Sequence, residues 1–200
     1  MVKQHDRHEI CLMALWHDIG KFRQRAFPEE SGDHGEIGHR WLADHYGDGL
    51  IATGAKCHHA NNEEVWKSNL SLILYEADNC AASERKTPRK IARNDWDSEM
   101  VLTNVFSFVR NPHEDELKTY PPRSFLALPD ASDAKAIPGW HVPKKNGIKN
   151  TNRAYRQLWE CFEKDFKKLK EVGGHYNVNA VLHLLEKYTA CVRCSDHSQI

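Results

Sequence analysis

Neither sign of charge dominates this sequence: 28 lysines and arginines are matched by 28 aspartates and glutamates over 200 residues, a net charge of zero. A global positive field of the kind that draws in nucleic acid is thereby excluded, and any such surface has to be local. Long apolar runs are missing too. No stretch approaches the roughly 18 residues of a membrane span, and Met1 to Glu9 lacks the apolar core of a secretory signal. Nor do the six cysteines form a disulfide framework. Cys11, Cys57, Cys80 and Cys161 stand singly in segments with helical patterning, as expected of free, buried thiols in a reducing cytoplasm. Cys191-Val192-Arg193-Cys194 is a lone C-x-x-C near the end of the chain, a weak zinc signature without a second pair. A soluble cytoplasmic protein with one real core is expected.

The apolar spacing reads as helices at both ends. The first runs from residue 8 to about 25 and is ended or loosened by Gly20 and stopped by Pro28. His34 to Tyr46 is the second, with Ser31 or Asp33 able to cap it. Leu50 to Ala60 is a short third, and Val65 to Ser83 a fourth with Leu70, Ile73, Leu74, Ala77 and Ala81 on its apolar side. Met100 to Val109 reads as a strand. The stretch from Asn111 to Asn150 holds six prolines, so irregular structure is expected there, with one more strand near Ser124–Leu126. Amphipathic helices over 151–170 and 178–188 close the chain. The expected organisation is a helical core over 1–85, an irregular, β-containing insert over 86–150, two C-terminal helices over 151–190 packing on the core, and a tail over 191–200.

Within the helical core the chemistry lies in His17-Asp18, His34, His58-His59 and Asp78, each on its own segment. An imidazole and a carboxylate delivered side by side by an apolar run need compensation, because burying either unpaired costs on the order of 2–7 kcal/mol. A divalent ion is the candidate compensator. Mixed His/Asp ligation suits the Mn, Fe, Co, Ni and Zn series, and five or six ligands exceed a single tetrahedral zinc site. The set suggests an octahedral ion, or a pair of ions bridged by Asp18. Such a site makes hydroxide from water near neutral pH and clamps a phosphate, with Lys21 able to hold a phosphate oxygen as a point charge. Blander readings stand beside this one. His34 could merely start a helix, His58-His59 could answer a helix dipole, and Asp78 could pair with Arg85 or Lys86. The ordered recurrence, one position per helix, favours the metal.

Read in order, His17-Asp18, His34, His58-His59 and Asp78 resemble the HD superfamily of metal-dependent phosphohydrolases, in its permuted arrangement with the HD pair near the N-terminus. The wording from Ala14 to Ala26, around Trp16-His17-Asp18-Ile19-Gly20-Lys21, resembles more particularly the large signature subunit of type III-A CRISPR (Csm) effector complexes. So do His34-Gly35-Glu36-Ile37-Gly38-His39, His58-His59-Ala60 and Tyr75-Glu76-Ala77-Asp78-Asn79-Cys80. The resemblance implies a mainly α, HD-domain helical bundle with a small irregular insert and two C-terminal helices. It implies a metal-dependent nuclease, exo- or endonucleolytic, that cleaves single-stranded DNA in antiviral defence, partnered by guide RNA and the other Csm subunits. By position, His17, Asp18, His34, His58, His59 and Asp78 would bind metal, and His17, Asp18 and Lys21 would be catalytic. Manganese, nickel or cobalt is expected ahead of magnesium, with zinc and iron as further candidates, one or two ions per chain. Lys21, Arg23, Arg25, Lys86, Arg89 and Lys90 would supply the local positive charge for the DNA backbone. The family's palm-like domains carry a GGDD motif that makes cyclic oligoadenylates. No GGDD occurs here, so that activity is expected to be absent. The alternatives are a phosphohydrolase of small nucleotides and a non-catalytic assembly domain.

Overall fold

In the computed structural model, residues 4–58, 68–83, 102–103, 118–120, 142–143, 151–169, 171–172, 175–190 and 192 are described. The expected all-α bundle is what forms. Its helices are α1 (Gln4–Trp16), α2 (Ile19–Ala26), α3 (His34–Tyr46), α4 (Leu50–Cys57), α5 (Asn69–Ser83), α6 (Thr151–Phe166) and α7 (Val178–Thr189). Short strands β1 (Leu102–Thr103), β2 (Lys118–Tyr120) and β3 (Val142–Pro143) pair antiparallel, with Leu102 opposite Tyr120 and Lys118 opposite Pro143. A small hairpin, β4 (Glu171–Val172) and β5 (His175–Tyr176), joins α6 to α7.

The expected single helix over residues 8–25 is in fact two. α1 ends at Trp16 and α2 starts at Ile19, so His17 and Asp18 occupy the turn between them. Gly20 does not end a helix. It lies buried in the first turn of α2, where that helix crosses α3. Each helix takes its place through a narrow apolar face. Leu12 and Trp16 of α1, Ile19, Phe22 and Ala26 of α2, and Ile37 and Trp41 of α3 are all buried, at the three- and four-residue spacings that align side chains along a helix. Arg25 falls on that same inner face of α2. It is completely buried, with its guanidinium 5.8 Å from the centre of the Tyr155 ring, so the expectation that it meets a DNA strand is corrected.

α3 begins where Asp33 accepts a hydrogen bond from the Glu36 backbone N–H at 2.9 Å, which satisfies one of the orphan donors of the first turn. It stops at Gly47, whose φ of 77° favours glycine. α6 lies against α2 and α7 lies against α1 and α6. The joint is aromatic. Trp16 meets Trp41, Phe162 and Phe166 with ring centres 5.5, 6.2 and 5.7 Å apart, and Phe22 meets Trp159 at 5.0 Å, mostly tilted or edge-on. Such pairs add about 0.5–1.5 kcal/mol beyond their buried area.

The thiols are a second correction. Cys57 is buried as expected, but Cys11, Cys80 and Cys161 are exposed, because each falls on the polar side of its helix. Among the described residues no helix is long and apolar enough to cross a membrane. The strand expected near Ser124–Leu126 lies outside the described residues, as does the rest of the expected strand around β1.

Candidate metal centre

The ends of four helices converge on Asp18. Its Oδ1 lies 3.8 Å from Nε2 of His34, the first residue of α3, and 3.5 Å from Nε2 of His58, the residue after α4. The two Nε2 atoms are 3.3 Å apart. A circle through these three atoms has a radius of about 2 Å, the length of metal–N and metal–O bonds (~2.0–2.2 Å). Oδ1 of Asp18 is buried and has no hydrogen-bond partner. An unsatisfied buried acceptor costs about 1–3 kcal/mol, so the atom that lacks a partner is the one that faces the two imidazoles.

Local structure fixes the lone pairs. His58 Nδ1 donates to the Ala55 carbonyl at 2.6 Å and His17 Nδ1 to the Ala14 carbonyl at 2.7 Å. A carbonyl only accepts, so in each neutral ring the proton sits on Nδ1 and Nε2 is left as a ligand. Both rings use the same device: a histidine just past a helix end captures a carbonyl of the last turn, which has no partner within the helix. His58 is 2% exposed, which keeps water from competing at that position. Two imidazole nitrogens and a carboxylate oxygen therefore fit a divalent transition ion.

The other carboxylate oxygen looks outward. Asp18 Oδ2 is 3.4 Å from His17 Nε2 and 2.8 Å from Lys21 Nζ, and Asp78 Oδ1 of α5 is 3.7 Å from the same His17 nitrogen. Burial opposes the charge on Asp18. It is outweighed by His17 and His58, which face the carboxylate, and by the charges of His17 and Lys21, so the carboxyl group stays ionised far below its usual range. Burial likewise opposes protonation of His17, yet Asp18, the Ala14 carbonyl and Asp78 together raise its pKa. Asp18 and Asp78 thus favour the charged form of His17, and Lys21 brings its positive charge to the other side of Asp18 Oδ2.

Asp18, His34 and His58 thus come together, with His17, Asp78 and Lys21 on the outer side. Other basic residues are engaged elsewhere. Arg23 is bidentate to Glu30, with Nη2 to Oε1 at 2.7 Å, and is 3.6 Å from Glu163, so its charge is already answered. His39 binds Asp48 at 3.0 Å, and His45 packs between Trp41 and Phe166. His59, Lys86, Arg89 and Lys90 lie outside the described residues. Sequence reasoning missed the Ala14 and Ala55 carbonyls; the signal available was a histidine placed one residue past each helix end.

Residues 2–83 match the model of the HD domain, so this part of the chain is an HD domain, a class of metal-dependent hydrolases that bind divalent ions. No curated protein matches the sequence. Over 94% of its length the chain is similar to a solved crystal structure of the Csm1–Csm4 cassette in complex with pppApApA, with 25% identity and a TM-score of 0.53. It spans 24% of that longer chain. Together the HD-domain match and this likeness support a place for the chain among HD domains of the Csm type.

Proposed function

We propose that this chain hydrolyses phosphodiester bonds in single-stranded DNA, as the HD nuclease domain of a type III-A interference complex. The reading rests on the Asp18–His34–His58 triangle, in which a carboxylate oxygen without a hydrogen-bond partner faces two imidazole nitrogens. The ion held there supplies a Lewis acid for the phosphate and an acidified water. Asp18, through Oδ1, would hold such an ion together with His34 and His58. His17 and Asp78 stand on the Oδ2 side of Asp18 and would hold a second ion, with His59 proposed as a further ligand from its place after His58 in the sequence. With two nitrogen ligands in the inner triangle, manganese, nickel or cobalt is favoured over magnesium. Lys21 gives its Nζ to Asp18 Oδ2 in the resting site and transfers it to a phosphate oxygen when the strand binds. Lys86, Arg89 and Lys90 would add positive charge for the strand, as read from the sequence, while Arg23 is committed to carboxylates of the fold. Overall neutrality makes the affinity weak and steeply dependent on salt. The similar Csm1–Csm4 cassette supports partnership with sister subunits, and guide RNA is proposed with them.

The test is incubation of the chain with labelled single-stranded oligonucleotide, deoxynucleoside triphosphates and cyclic nucleotides in Mn2+, Ni2+, Co2+ and Mg2+. Cleavage of the oligonucleotide that is lost in Asp18→Asn and His34→Ala is expected. Turnover of mononucleotides alone would replace this reading with a small-nucleotide phosphohydrolase. Unchanged DNA cleavage in the two variants would place the activity outside this site.

A further inference from the structure

The main chain of α3 passes directly against Gly20. A Cβ at Gly20 would lie 1.7 Å from the carbonyl oxygen of His34, 2.7 Å from its carbonyl carbon and 2.8 Å from the Gly38 nitrogen. The space a side chain would fill is thus occupied by the main chain of a ligand residue. Across the same contact, a Cβ at Gly38 would meet the Gly20 nitrogen at 3.2 Å and its Cα at 3.4 Å.

We propose that Gly20 is a positioning residue for the ion site, its missing side chain letting α3 approach until His34 stands beside Asp18. This inference rests on the metal-centre reading above. Asp18 is joined to α2 by the hydrogen bond from the Lys21 N–H to its carbonyl, at 3.0 Å, so Asp18 and Gly20 move as one piece. His34 is the first residue of α3, so displacing its carbonyl displaces the ligand. Relieving the Gly20 overlap takes the carbonyl from 1.7 Å to at least 3.0 Å, a movement several times the tolerance of a ligand bond, about 0.2 Å. Neither partner is a flexible side-chain tip that could swing aside. Gly54 provides the contrast: a Cβ there meets only the Met13 side chain, at 3.2 Å, and Met is pliable.

The experiment measures Co2+ affinity by calorimetry and the visible Co2+ absorption of the full chain, with circular dichroism to verify folding. Gly20→Ala is expected to lose at least 100-fold in affinity together with the wild-type cobalt spectrum. Gly38→Ala, whose neighbours must give by a few tenths of an ångström, is expected to lose about tenfold, at the level of outer-shell substitutions. Gly54→Ala should keep wild-type affinity and spectrum even if its melting temperature falls. If Gly20→Ala does not fold, the Gly38→Ala and Gly54→Ala pair decides. Wild-type affinity and spectrum in Gly38→Ala, or equal losses in Gly38→Ala and Gly54→Ala, overturn the positioning role. A wild-type chain whose cobalt binding is absent, or unaffected by His34→Ala, removes the metal-centre reading itself and this inference with it.

Discussion

Ion binding should stabilise the chain by an amount that depends on His58. Asp18 Oδ1 is buried without a hydrogen-bond partner and faces two imidazole nitrogens at 3.5 and 3.8 Å. Only the folded chain brings Asp18, His34 and His58 together, so an ion binds the native state alone. At a free concentration 100 times its Kd, linkage gives about 2.7 kcal/mol. For a chain of this size each kcal/mol moves the melting temperature by about 2–4 °C, so Mn2+ should raise the midpoint of EDTA-treated protein by about 5–11 °C. His58→Ala removes one of three inner ligands, and it also loses a buried hydrogen bond to Ala55, lowering its own baseline by about 1–3 kcal/mol. The informative quantity is therefore the difference between melts with EDTA and with Mn2+ within each variant. That difference should collapse in His58→Ala and persist in His39→Ala, whose ring binds the exposed Asp48. An undiminished Mn2+ shift in His58→Ala would refute the assignment of the inner triangle.

Three further outcomes probe the frame that carries the site. Asp33→Ala removes the cap on the helix that begins with His34 and should cost about 1 kcal/mol in urea unfolding; no loss would mean the cap is idle. Trp16→Ala empties a fully buried position and strips the Tyr46 hydroxyl of its Nε1–H donor at 2.9 Å, for about 3–5 kcal/mol; a loss below about 1 kcal/mol would contradict the aromatic joint. Asp165 accepts hydrogen bonds from Lys168, Lys187 and Tyr188, which hold its carboxyl below the usual range against a smaller opposing effect of burial. Its stabilisation is present above the unfolded carboxylate pKa of about 3.9 and fades as pH falls through the lower folded value. Asp165→Asn should therefore cost about 1 kcal/mol at pH 7, a value kept small by partial exposure, and progressively less as pH falls below about 4. An equal cost at pH 7 and pH 3 would exclude this role.

The helices around the site were largely legible because their boundaries carry local signals. Asp33 and Glu36 announce α3, Gly47 and Gly49 frame the turn into α4, and the Leu12/Trp16 and Ile19/Phe22/Ala26 spacings declare inner faces. What escaped is decided by tertiary approach. Helical spacing continues from Leu12 and Trp16 to Ile19 and Phe22 across His17-Asp18, so the pattern suggests one helix where two occur. Gly20 suggests a helix end by residue type, yet it is used for contact with α3. Arg25 looks like a surface cation by residue type, although its place three residues after Phe22 puts it inside. The thiols of Cys11, Cys80 and Cys161 show the converse, apolar by type and exposed by helical phase. The candidate ligands were readable as residue types in order; the lone-pair directions of His17 and His58 depend on carbonyls that only a finished helix end presents.

The placement of the inner ligands also has a consequence for motion. Asp18 precedes the first turn of α2, His34 opens α3, and His58 follows the last turn of α4. Helix ends are where native proteins open most readily, with free energies well below that of global unfolding. An ion bridging these three positions acts as a clasp on three fraying points at once. Slow amide exchange at the ends of α2, α3 and α4 would then depend on the ion, while the middle of α6, held by Trp159 and Phe162 in the aromatic joint, would exchange at the same rate with or without it.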